Sequence, residues 1–360
     1  MVSTRARKSS LTASTAQKTS PHAGNSTIYN IYLLGRIPFT LEAPLWCVLG
    51  NVIYYTQHGP LHPTTLLLST GLVLLTNVSI NYANEYFDYE ADSIVAERAD
   101  SSASHGGSKM LIDGTFGRWV ALYCAAAVQA FILICIGVSR QLEGAGSSLQ
   151  GTVLWFGLLA MGAAQQYVGP PLRLHYNGGG EVVSSLEIAP GPVLYGFLSQ
   201  GTHAARRGLT VREAWASTSG TLVVFLAWTL AYELARIFMM HAADITEDRV
   251  ARKHTLVSVL GFGRTKALYR FTSALAVLLG WNLVLRDGRA GYLMAVVALY
   301  SLPIAYRVDA ALETLAVCER EGRKVETAGF ASVPPLVSLQ TMLTPVVLMV
   351  VMAVKGDCLA

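Results

Sequence analysis

Apolar runs long enough to cross a membrane recur from about residue 32 to residue 353 of this 360-residue chain. A hydrocarbon core of about 30 Å needs about 20 apolar residues in a helix, and only a helix or a closed barrel satisfies its own backbone groups there. We read nine such runs, over 32–55, 64–87, 118–138, 150–168, 182–200, 218–242, 267–285, 291–306 and 333–353. Composition agrees, with 52% hydrophobic and 14% charged residues where soluble domains carry about 25% charged. The fold expected is an all-α membrane protein of about nine transmembrane helices, with the lipid bilayer as its surroundings and no nucleic-acid partner. Residues 308–325 are charged and helix-prone, and are expected to form a loop or interfacial helix.

The ends and the loops carry the orientation. Residues 1–30 form a basic, Ser/Thr-rich tail expected to lack a packed fold, and 31–356 form the membrane domain. The tail has no apolar core of a secretory signal, and its composition suits a cytosolic extension or an organellar transit peptide. With nine spans, the N-terminus and the loops after spans two, four, six and eight share one side. That side carries 18 Lys/Arg against 6 opposite, leaving Arg36, Arg236 and Lys355 aside. The positive-inside rule makes it cytosolic, or matrix or stromal in an organelle. An endoplasmic-reticulum or other intracellular membrane is expected, or an organellar inner membrane. Five cysteines show no CxxC pair and no metal-ligand spacing, so neither a disulfide framework nor a zinc site is expected.

Span two finishes in NEYFDYEAD, where Asn84, Asp88 and Asp92 lie four apart and share one helical face. Span six finishes in HAADITEDRVARKHTL, with Asp244 and Asp248 again four apart. Superposing Asp88 on Asp244 gives an offset of 156 residues, or four spans, and predicts two pseudo-repeated four-helix units. Acids are disfavoured at a helix C-terminus, where the dipole is negative, and carboxylates at two neighbouring helix ends repel unless a cation lies between them. Oxygen-only ligand sets suit hard cations, and Mg²⁺ typically binds one or two carboxylates plus substrate phosphates. Bases follow each cluster, Arg98 and Lys109 after the first and Arg249, Arg252 and Lys253 after the second. The pattern reads as two Mg²⁺–diphosphate half-sites facing one cavity, and membrane walls suit a diphosphate with a long apolar tail.

These motifs resemble the two Asp-rich motifs of the UbiA superfamily of intramembrane prenyltransferases. Further stretches are similar to that family: GRIPFTL with Arg36 and Pro38, GGSKMLIDG with Lys109, and DRVARKHTL with Lys253 and Thr255. QYVGPPLRLHYNGGGE, from Tyr167 to Glu181 after its first Gln, resembles the Tyr/Gly/Glu loop of the dihydroxynaphthoate (menaquinone-type) branch. The likeness runs over about residues 33–350. One departure stands out: where that branch carries Asn-Asn-x-Arg, this chain has Met240, His241, Ala242 and Ala243.

The resemblance implies a helical bundle around a central cavity and a Mg²⁺-dependent reaction of an isoprenyl diphosphate. It implies Asn84, Asp88, Asp92, Asp244 and Asp248 as metal-binding and catalytic residues. Arg36, Lys109, Arg173 and Lys253 would bind diphosphate, and Tyr82, Tyr86, Tyr167 and Tyr176 would stabilise the allylic cation. The prenyl group would pass to an aromatic acceptor of phenol, quinol or naphthoate type. Membrane terpene cyclases of the same superfamily offer the alternative, in which an internal alkene captures the cation. A secondary transporter also shows spans, repeats and buried charge, but places its polar site near mid-depth on broken helices; here both clusters sit at one face. Bland roles stand beside these: interface anchoring for the tyrosines, packing for His241, an internal pair for Glu233 with Arg236, and capping of span five for Glu181.

Overall fold

The computed structural model describes residues 21–22, 24–37, 40–98, 107–142, 157, 165–204, 211–286, 290–323 and 332–355. Its helices are α1 Thr27–Leu34, α2 Glu42–His58, α3 Pro63–Arg98, α4 Arg118–Leu142, α5 Gly180–Ile188, α6 Pro190–Ala204, α7 Val211–Ala243, α8 Ile245–Val250, α9 Leu256–Arg286, α10 Ala290–Arg320 and α11 Val333–Lys355. Among the described residues there is no named strand, and seven helical stretches are long and apolar enough to cross a membrane. The chain is an integral, multi-pass membrane protein.

Several boundaries differ from the sequence reading, each for a local reason. The first run divides into α1 and α2, because Arg36 takes a left-handed φ of 49° and Pro38, itself outside the described residues, disfavours helix before it. Span two continues as α3 to Arg98, so Asp88 and Asp92 lie inside a helix and not at its C-terminus. Span five is two helices, α5 and α6, interrupted at Ala189 just before Pro190. Span seven starts at Leu256 and bends at Gly261, whose φ of 75° suits glycine. The charged stretch after span eight is no separate interfacial helix, since α10 runs unbroken to Arg320. Of span four only residues 165–168 and Gly157 are described.

Helix pairs close on one another with α7 and α9 at the centre of one half and α3 and α4 in the other, while α2 packs on α6. Trp46, Leu49 and Ile53 of α2 meet Val193 and Phe197 of α6 and Phe225 and Trp228 of α7 in the largest core cluster. Lipid offers no hydrophobic drive between helices, so close packing must supply the adhesion, and small residues permit it. A Cβ on Gly50 would stand 2.0 Å from the Val193 carbonyl oxygen, and one on Gly196 would stand 2.2 Å from that of Cys47. The α2 and α6 backbones therefore touch through paired glycines. Leu278 and Trp281 of α9 stay 67% and 63% exposed.

Candidate active site

Asp88 stands on α3 with both carboxylate oxygens engaged. Its Oδ1 accepts the Tyr176 hydroxyl at 2.5 Å and its Oδ2 lies 3.2 Å from Lys253 Nζ. Lys253 comes from the turn after α8, and its backbone N–H donates to the Asp248 carbonyl at 2.8 Å. Thr255 Oγ1 donates to Asp248 Oδ2 at 3.1 Å. The two acidic stretches thus meet at one ammonium. The Asp88, Asp92 and Asp248 carboxylates together hold Lys253 above the usual lysine range, against the opposing effect of burial. Burial pushes the Asp248 carboxyl up to about 6, although Lys253 pulls the other way. Asp248 lies in the first turn of α8, where the helix dipole favours an acid. Asp244 immediately precedes α8 and acts electrostatically on Asp248.

The loop carrying Tyr176 is tied down by a short parallel bridge between Asn177 and His254 and by the His254 N–H on the Tyr176 carbonyl at 3.2 Å. Arg173 lies over the Tyr176 ring at 4.1 Å and Lys253 over it at 5.3 Å. Burial, then the Asp88 charge, push the Tyr176 phenol up, so it stays a donor. Tyr167 stacks on His175 with ring centroids 4.7 Å apart. Its hydroxyl lies 3.4 Å from His241 Nε2, and His241 Nδ1 lies 3.1 Å from Glu181 Oε1. Glu181, fully buried, also takes the Val257 N–H at 3.3 Å. It stands in the first turn of α5, where its carboxylate takes its own backbone N–H as well as orienting His241.

Other expected site residues have different surroundings. Arg36 donates through Nε and Nη2 to Glu85 Oε1 at 2.9 and 2.7 Å. Ser108 adds its N–H and Oγ to the same carboxylate at 2.7 and 2.9 Å. Sequence reasoning missed Glu85; the signal lay in an acid adjoining Asn84 and facing a lone arginine in the first apolar run. This latch holds Gly107 and Ser108 so that a Cβ on Gly107 would lie 3.2 Å from Asp92 Oδ2. Lys109 is exposed beside the latch with a left-handed φ of 62°. Tyr82 is not at the site, since its hydroxyl reaches the Ile31 carbonyl at 2.9 Å in the α1–α3 contact. Tyr86 is turned towards α4, against Trp119 and under Arg118. Both lie two residues from Asn84, about 200° round the helix. Glu233 and Arg236 do pair, at 2.5 Å, with Glu42 3.5 Å from the same guanidinium.

Asn84 Oδ1 is buried without a hydrogen-bond partner. Such an atom is unfavourable unless something binds it. Among the described residues no three His, Cys, Asp or Glu side chains converge as a metal cage. An asparagine oxygen beside carboxylates held by an ammonium is instead a donor set that fits a hard cation arriving with phosphate oxygens to complete its shell.

No curated protein matches this chain. Solved structures with the same fold include a UbiA homologue from Archaeoglobus fulgidus bound to DMAPP and Mg²⁺, at 15% identity and TM-score 0.60, covering 90% of this chain and 99% of that one. A UbiA homologue from Aeropyrum pernix K1 aligns at 15% identity and TM-score 0.58, over 89% and 98%. A structure reported for digeranylgeranylglyceryl phosphate synthase aligns at 14% identity and TM-score 0.55, over 92% and 98%. The UbiA prenyltransferase family profile matches residues 44–314, and the chain belongs to that family.

Proposed function

We propose that this protein is a Mg²⁺-dependent prenyltransferase that ionises an isoprenyl diphosphate and passes the prenyl group to an aromatic acceptor. The observation that carries the reading is the Lys253 ammonium, brought by the second acidic stretch to 3.2 Å from Asp88 of the first. Asn84, Asp88, Asp92, Asp244 and Asp248 are the residues that would hold Mg²⁺, in keeping with the family and with the DMAPP- and Mg²⁺-bound relative. The ion, when bound, neutralises negative charge developing on the leaving diphosphate.

The chain's own groups do the rest. Lys253 and Arg173 present charged donors where diphosphate leaves, with Lys109 and Arg36 near the entrance; such preorganised donors act most strongly where charge develops. The faces of Tyr167 and Tyr176 stabilise the allylic cation without capturing it. His241, oriented by Glu181, fixes the Tyr167 ring. The acceptor ring attacks the cation carbon, and the ring proton leaves to restore aromaticity. In this reading the described helices belong to nine spans, eight of them in two four-helix units, with the site mouth on the basic, cytosolic side of an intracellular membrane.

The test is a product assay on the full chain with Mg²⁺ and geranyl, farnesyl or geranylgeranyl diphosphate, with and without a phenol, quinol or naphthoate. Acceptor-dependent release of diphosphate with a prenylated product is expected. A cyclic hydrocarbon formed without acceptor would replace this reading by the cyclase one.

A further inference from the structure

A cavity of about 510 Å³ opens between α3, α4, α5, α6 and α7. Its walls are apolar, with Ile132, Leu186 and Leu230 among them, and its described polar lining is Thr76, Asn77, Glu187 and Tyr195. Asn77 lies seven residues before Asn84 on α3, which sets the cavity about 10 Å deeper than the acidic face along the helix. Glu187 is the anomaly. Its Oε1 is buried with no hydrogen-bond partner, yet the residue lines a cavity deep in the membrane domain. It sits one residue from the C-terminal end of α5, where the chain breaks at Ala189 and restarts at Pro190. The helix dipole there opposes an acid, and apolar walls oppose it further. Glu187 shares the short helix α5 with Glu181, which contacts His241, and stands six residues, or about 9 Å along the axis, from it, so cavity and site share a wall.

We propose that this cavity is the site of the second substrate and that Glu187 accepts a hydrogen bond from a hydroxyl on an otherwise apolar, aromatic molecule. The inference rests on the transferase reading and names what the acceptor must carry. A hydrocarbon tail has nothing to offer Glu187 Oε1, whereas a phenolic O–H satisfies it and leaves the ring against Ile132, Leu186 and Leu230. Asn77 Nδ2 gives one of its two hydrogens to the Val73 carbonyl at 3.0 Å, and its Oδ1 adds an accepting oxygen to the cavity wall. A hydroxyl on the occupant therefore finds accepting oxygens at Glu187 and Asn77.

The experiment is binding of 1-naphthol, followed by its own fluorescence, to the full chain in nanodiscs, with empty nanodiscs as background. It uses neither Mg²⁺ nor isoprenyl diphosphate, so it decides the site whether or not the protein releases diphosphate. Wild type should bind 1-naphthol at least about tenfold more tightly than Glu187→Leu does, the range expected for one hydrogen bond to a charged or strongly polar acceptor. Glu187→Gln, which keeps an accepting oxygen, should fall between. Binding of 1-methoxynaphthalene, which lacks the donor, should be equally weak in wild type and Glu187→Leu. Thermal unfolding of Glu187→Leu should shift upward, because an unpartnered buried carboxyl is removed at similar volume. Equal 1-naphthol binding in wild type and Glu187→Leu would overturn the proposal. So would a downward thermal shift, which would make Glu187 a structural partner. Loss in Glu187→Leu of a hydrocarbon that wild type makes without acceptor would overturn it as well, by making Glu187 a proton acceptor for a cyclising chain.

Discussion

Single residues account for most of what the site can do, and the arginine of the first apolar run shows why type alone is a poor guide to role. Arg36 is the kind of side chain that clamps diphosphate, yet two of its donors go to Glu85. The Glu85 side chain is 3% exposed, so its charge needs the guanidinium and the Ser108 groups. Removing one partner of such a pair strands the other. Arg36→Ala, which strands the buried Glu85 charge, should lower unfolding stability by about 2–3 kcal/mol by that argument. Adding Glu85→Ala should cost little more, because the partner is already gone. Chemical unfolding of both singles and the double gives the coupling; additive losses would show that the latch is not a unit. Lys253 illustrates the opposite case. Its value to the site was legible, since a base close behind an acidic stretch invites a role with phosphate, but its contact with Asp88 depends on a turn that only the fold supplies.

At the scale of helices, length and hydropathy located seven apolar stretches that the described residues form as helices, and local backbone chemistry decided where they stop. The acids of NEYFDYEAD looked terminal because polarity rises there, but a helix ends where its backbone bonds end, and α3 continues to Arg98. The break at Ala189 and the bend at Gly261 were masked by apolar neighbours that keep the run continuous in composition. Tyr82 and Tyr86 were assigned to the cavity by nearness in sequence, and 3.6-residue periodicity turns both away from Asn84. Close backbone approach is likewise invisible until two helices are placed together. Gly196→Ala, whose Cβ would meet the Cys47 carbonyl at 2.2 Å, should separate α2 from α6 and cost about 1–3 kcal/mol or more. Gly71→Ala on α3, with nothing within 4 Å of its Cβ, should instead stabilise by about 0.5–1 kcal/mol. Thermal unfolding of the two variants side by side checks this; a Gly196→Ala protein that melts like wild type would contradict the paired-glycine contact.

The molecule as a whole brings together stretches 156 residues apart. Either acidic stretch alone, one inside α3 and the other at the start of α8, is a polar helical segment without a shared partner. Their convergence on Lys253, with the unpartnered Asn84 oxygen beside them, makes them one oxygen-rich cluster. The 156-residue offset between the acidic stretches was readable in the sequence; the loop that carries Tyr176 was readable only as a motif, and its bridge to His254 came from the fold. The central claim is that both stretches serve one diphosphate. Its most direct test is Mg²⁺-dependent diphosphate release from geranyl diphosphate, measured on folded wild type, Asp88→Asn and Asp248→Asn. Each substitution should reduce release by about 10²–10³-fold, the scale seen when a preorganised electrostatic contact is lost, while a wild-type rate in either folded variant would contradict the shared site.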